Sequence, residues 1–289
     1  MTLPAMKVPA GRVDVLHRLA LAVQLVDSVT RLPVWRGPDV GRETAWSVAA
    51  AHLPPRRGRT PVGPAIAFDR HSDSSFLLRH ESRVVGNVTI RVSDRSRTWV
   101  PRRISLPLWS LDEVSAADQV PPTGAFVPTD ARLLRAWLLP GQAYPLPRGA
   151  TGFTARVMRD GMPVRWARVE AFTTPGRVGW GHGDEHGQVL VVLTERPAFP
   201  APGTKTFQVA VRVHGPDPQA VPPMDPIDPL ADLPTEAVPR SSNPPTAQDL
   251  DSDLLRGLRR PASYVTANDE VKTLSVGTVT HLGDITFSP

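Results

Sequence analysis

The chain has no cysteine in its 289 residues. Disulfides and thiolate metal sites are excluded, so stability must come from packing. Lysine is almost missing too: Lys7, Lys205 and Lys272 are the only ones, and arginine supplies the rest of the 33 cations. Arginine's planar fork suits carboxylate pairing and aromatic stacking at interfaces. No apolar run reaches the roughly 18 residues that a membrane-spanning helix needs. No basic head followed by an apolar run opens the chain, so no signal peptide is expected and a cytoplasmic setting is. Glycine-rich phosphate loops, Walker motifs and dinucleotide fingerprints are lacking. The net charge of +5 is carried by scattered arginines, not by clusters interleaved with aromatics. That distribution argues against nucleic acid as a partner.

Proline, by contrast, is abundant: 33 of 289 residues. Proline neither continues a helix nor donates to a sheet ladder. The composition therefore implies short strands and fixed loops. The clearest pattern runs from Phe153 to Leu193. Phe153, Ala155 and Val157 alternate with Thr154, Arg156 and Met158, and Asp160-Gly161 follows, a strong hairpin signal. Val164, Trp166, Val169, Ala171 and Phe172 are the apolar members of the next run. Turns at Thr174 to Gly176 and at Gly181 to Gly187 separate two further strands, the last being Val189 to Leu193. Short strands with frequent turns imply an antiparallel sandwich.

The order of strand, Asp160-Gly161-Met162-Pro163-Val164, strand with Ala167 and Val169, then Asp184 to Gly187 before an apolar strand, resembles the carboxypeptidase regulatory-like domains. That resemblance covers about 60 residues of a transthyretin-like, immunoglobulin-like β-sandwich. It implies a spacer, adhesion or assembly module and brings no catalytic residue.

The remaining chain divides around this stretch. Residues 1–12 read as an arm. Residues 13–112 read as a first sandwich, with Leu19, Leu21, Val23 and Leu25 alternating as a half-buried strand. Ala22 to Trp35 is a weak echo of Thr154 to Trp166, a strand, an Asp turn and Pro-Val. Ala45 to Leu53 fits a short helix or a strand. Residues 113–132 read as a polar linker. The second sandwich is expected over 133–214, with Leu133 to Leu139 as its lead-in and Phe207, Val209, Val211 and Val213 in its closing strand. Residues 215–245 are so rich in proline that they read as an extended tether.

Residues 246–289 read as a tail of helix and strands. Thr246 serves as N-cap, Pro261 stops the helix, and Leu250, Leu254, Leu255 and Leu258 make one apolar stripe. This stripe, with Arg256 and Arg259, is the expected partner-binding surface. It either docks on the chain's own domains or reaches a neighbouring subunit as a helix in a groove.

Three constellations could carry chemistry. His182, Asp184, Glu185 and His186 have the ligand types for a divalent metal. A hydrogen-bonded turn, with Asp184 capping the backbone and Gly187 at positive φ, explains them as well. His71, Asp73, Ser74 and Ser75 with His80 could suggest a hydrolytic triad, but no nucleophile elbow accompanies them. Seven tryptophans could form a carbohydrate platform, with Trp180 the expected surface member, or could be core anchors.

The whole reads as all-β: two immunoglobulin-like β-sandwich domains, a Pro-rich tether and a C-terminal tail carrying one short helix. The expected function is a non-enzymatic structural protein with no cofactor, and subunits of a larger assembly, including copies of itself, as partners. The plan of two sandwiches with arms resembles cap, adaptor or baseplate components of phage-tail-like contractile injection particles. The alternatives are a carbohydrate- or ligand-binding module and a metal-dependent enzyme centred on 182–186.

Overall fold

The structure is a computed structural model. It describes residues 19–43, 66–70, 75–80, 86–117, 132–174, 176–194, 203–219, 230–239, 252–267 and 269–289, with single residues between 119 and 127 and at 228. The 1–12 arm, Ala45 to Leu53, the His71 to Ser74 turn and Leu250 lie outside the described residues. The fold is all-β, with two pairs of stacked sheets.

The first pair contains β1 (Leu19–Asp27), β2 (Asp39–Arg42), β3 (Ile66–Ala67), β4 (Asp69–Arg70), β5 (Ser75–Arg79), β6 (Asn87–Ser93) and β7 (Arg102–Pro107). A short helix, α1 (Leu111–Ala117), precedes β8 (Leu133–Leu138). One sheet has the order β4-β5-β1-β8. The facing sheet is β7-β6-β2-β3, and Val23, Leu25, Ile90 and Ile104 meet between the two.

The second pair is built from β9 (Gly152–Arg159), β10 (Met162–Pro163), β11 (Arg168–Thr173), β12 (Gly176–His182), β13 (Gln188–Val192) and β14 (Thr206–Pro216). Asp160 and Gly161 both take positive φ, 50° and 76°, as the two-residue hairpin joining β9 to β10 requires. The tail completes both pairs. β15 (Thr235–Ala237) adds to β7 in the first, while β16 (Tyr264–Thr266) and β17 (Glu270–Ser275) pair with β14, and β18 (Val279–Thr286) with β9. Ile285 and the following Phe287 are each 1% exposed in the second core. Each contributes about 1.5–3 kcal/mol by burial.

Several expectations are corrected here. Leu133–Leu138 does not lead into the second sandwich. It pairs in parallel with β1, Ala22 opposite Leu133 and Asp27 opposite Leu138, and buries Leu134, Ala136 and Leu138 in the first core. An apolar run states that a strand is buried but not which neighbour buries it. β1 is buried on both faces rather than one, because Val26 on its outer side packs with Trp137, Leu139 and Trp180. The stretch read as a linker from 113 holds most of α1. Ser110 and Glu113 cap it reciprocally: Glu113 N–H donates to Ser110 Oγ at 3.2 Å, and Ser110 N–H donates to Glu113 Oε2 at 2.7 Å.

The tether expectation also changes. β15 lies in parallel on β7 and buries Leu233 and Glu236 beside it. The helix expected over 246–260 is absent from its described part, residues 252–260. Arg256 N–H donates to Ser252 O for one helical turn. Gly257 N–H then donates to Leu254 O and Leu258 N–H to Asp253 O, with Gly257 at φ 75°. That is a Schellman stop, and glycine is what permits it.

Candidate functional site

The turn at 252–258 sits between the two sandwiches and bonds to both. The last carbonyls of a helical turn have no partner within it. Here four in succession find partners on opposite sides. From the first sandwich, Arg102 Nη2 donates to Leu254 O at 2.7 Å, and Arg102 Nη1 donates to Leu255 O at 2.6 Å. Trp137 N–H on β8 also donates to Leu255 O. From the second, Trp180 Nε1 donates to Arg256 O at 3.2 Å and His182 Nε2 to Gly257 O at 2.7 Å. A carbonyl only accepts, so Nε2 of His182 carries the proton. The turn is a latch across the junction. Leu254 and Leu255 drop into the first core, and Leu258 packs against Val26, Trp137, Leu139 and Trp180.

Arg102 is the hub. Its side chain is fully buried, and all five N–H donors are engaged. Nε and Nη2 grip Glu236 of β15, Nη1 reaches Trp137 O at 2.7 Å, and the other two serve the latch. Glu236 also receives Arg168 Nη2 of β11 at 3.3 Å. One carboxylate from the Pro-rich stretch thus joins arginines of both sandwiches. Burial pulls the Arg168 pKa below its ordinary value, and the Glu236 charge works against that. Burying a charge costs several kcal/mol unless it is paired and fully hydrogen-bonded, and this arrangement supplies both conditions around Arg102.

The expected site residues come together only in part. Leu254 and Leu255 are each 6% exposed inside their own chain, so they are not a partner surface. Arg256 stacks on Trp137 at 4.8 Å, and Arg259 is exposed. His182 does reach the tail, through Gly257. His182, Asp184 and His186 do not converge. His182 is buried toward the latch, Asp184 Oδ1 accepts from His186 and Gln188 N–H, and His186 faces Arg97 at 3.0 Å. Burial raises the Asp184 pKa, and those backbone bonds oppose the rise. Gly187 takes φ 71°, as the turn requires. No group of three metal-ligating side chains occurs among the described residues.

Among the described residues the tryptophans form no exposed row. Trp99, Trp137, Trp166 and Trp180 are buried, which corrects the expectation for Trp180. Trp35 is 63% exposed instead. Reading the sequence missed Arg102, Glu236 and Gly257. Gly257 could have been found, because a glycine after a leucine stripe signals a helix end. Arg102 and Glu236 carry no local signal, since each is defined by the other.

No family model and no curated protein matches the chain. Among solved structures, the chain is similar to the shaft pilin of Lactobacillus rhamnosus GG at 6% identity and a TM-score of 0.22, over 93% of this chain and 98% of that one. A double mutant of that pilin gives 7% identity and a TM-score of 0.21, over 94% and 98%. Likenesses at this level are too low to bear on fold or function.

Proposed function

We propose that the protein is a non-enzymatic structural module of a larger assembly. The observation that carries this reading is the latch. A buried arginine places all five donors on groups that tie two sandwiches together, which serves rigidity and leaves that hub no group to act on a substrate. The resemblance to carboxypeptidase regulatory-like domains, carried by Asp160 to Val164 and Asp184 to Gly187, supports the same role. The finer reading is a cap, adaptor or baseplate-type component of a phage-tail-like contractile injection particle, assembled in the cytoplasm and making contacts between copies of itself. Those contacts fall to exposed apolar residues such as Leu32, Trp35, Met162 and Val271, since Leu254 and Leu255 are used internally.

The test is quantitative mass spectrometry of contractile particles purified from the producing cells, with light scattering of the full chain alone. Stoichiometric copies in the particle are expected, together with self-association that Trp35→Ser weakens. Absence from such particles sinks the particle reading. A monomer at all concentrations sinks the self-contact reading.

A further inference from the structure

A cleft of about 300 Å³ opens where the two sandwiches meet, on the side of the molecule lined by Arg103, Arg159, Arg165, Trp166, Asp232 and Tyr264. Junctions of this kind are where small ligands commonly bind, and the volume is at the lower end of such sites. The charges in it are not equivalent. Arg165 grips Asp232 with Nε and Nη2 at 2.5 and 2.8 Å. Arg103 is held by Glu43 through Nε and Nη2, and its Nη1 points at Ala231 O and Leu233 O. Arg159 alone has no carboxylate partner among the described residues. Its Nη1 donates to Pro216 O at 3.2 Å, and Nε and Nη2 have no partner there. It is half-buried, so its charge faces the cleft under limited solvation.

The apolar wall is held under strain. Trp166 has φ 60°, a conformation that a bulky residue adopts only when its surroundings impose it. Its N–H donates to Asp184 O at 3.2 Å, and its carbonyl accepts from Tyr264 Oη at 2.8 Å. The ring is thereby fixed behind the cleft wall, 1% exposed and with the Arg165 guanidinium 5.3 Å from its centroid, and its buried Nε1–H has no partner among the described residues. Pro163, Val164 and Pro234 complete the apolar lining.

We propose that this cleft binds a small carboxylate whose other end is apolar. The carboxylate meets the unpaired edge of the Arg159 fork, whose planar N–H pair matches two carboxylate oxygens. The apolar part lies against Pro163 and Pro234, which line the cleft and keep surface there.

Calorimetric titration of the full chain with N-acetyl-phenylalanine and with its C-terminal amide tests the assignment. The acid is expected to bind about tenfold or more tightly than the amide, the range for one charge-assisted bond. Arg159→Gln is expected to remove that difference with an unchanged melting temperature. Ser263→Trp fills the cleft from an exposed position on its rim and is expected to abolish binding of both compounds. Equal affinity for acid and amide overturns the proposal. So does acid binding that survives either variant, or a lack of acid binding by the native chain. None of these outcomes bears on the assembly role.

Discussion

The second sandwich is self-contained in a way the first is not. Its buried cluster uses only residues between Phe153 and Phe287, and its two sheets are finished by the chain's last two strands, β17 on β14 and β18 on β9. The first cluster takes Tyr144, Leu190, Val192, Leu254 and Leu255 from beyond its own strands, plus β15 on its edge. One sandwich thus scaffolds the other, and the latch is where the support passes across. Two domains joined by a flexible linker would keep separate cores. Here the first core takes in Leu190 and Val192 of the second sandwich and Leu254 and Leu255 of the tail, which is why a tail that looked like an arm is an internal tie.

The most severe way to break this asymmetry is truncation. A chain ending at Gly215 lacks β15 to β18 and the latch. It is expected to lose cooperative unfolding in both sandwiches, measured by near-ultraviolet circular dichroism and calorimetry. A chain of residues 139–289 is expected to keep one cooperative transition. A folded, compact 1–215 chain would show that the sandwiches do not depend on the tail.

Next comes the hub. Arg102→Met leaves Glu236 buried with Arg168 as its one remaining ionic partner, and should cost about 3–5 kcal/mol in urea unfolding. Adding Glu236→Leu together with Arg168→Met should recover part of that, because the buried charges are then all removed rather than left broken. A loss under about 1 kcal/mol would mean the hub contributes little. Gly257→Ala is smaller. The new Cβ would meet His182 Cε1 at 2.9 Å and would sit at positive φ. A cost of about 1–2 kcal/mol is expected, with the melting temperature of 139–289 changed less than that of the full chain.

The smallest effect is a pH dependence confined to the second sandwich. Glu170 accepts from His214 Nε2 and from Arg177 Nη1, both at 2.9 Å. Burial alone would raise its pKa, but the bonds from His214 and Arg177 outweigh burial and hold it below its ordinary 4.5. A depressed folded pKa means that the stabilisation is present above about pH 4.5 and is lost as pH falls through the folded value. Glu170→Gln should therefore lower the melting temperature at pH 7, and the difference should shrink as the pH falls below about 4.5, as read by thermal denaturation at a series of acid pH values. A constant difference at every pH would assign the effect to packing instead.

What the sequence determined by itself was local. Asp160-Gly161 dictated its hairpin because both residues tolerate positive φ. The period-two runs of β9 and β14 named their buried faces, and Asp184 with Gly187 named a turn. Ser110 with Glu113 three residues on spells a capping box, a signal that is local too. What only the tertiary structure decided was partnership. The three parallel pairs, β1 with β8, β7 with β15 and β9 with β18, join segments far apart in the chain. Parallel pairing needs a long connection and leaves no turn signature between the partners. The leucine stripe was visible as apolar, yet the burial of Leu254 and Leu255 in the first core and of Leu258 against Trp137 and Trp180 depended on the sheets meeting there. Arg102 and Glu236 look like ordinary surface charges until folding removes water from both at once.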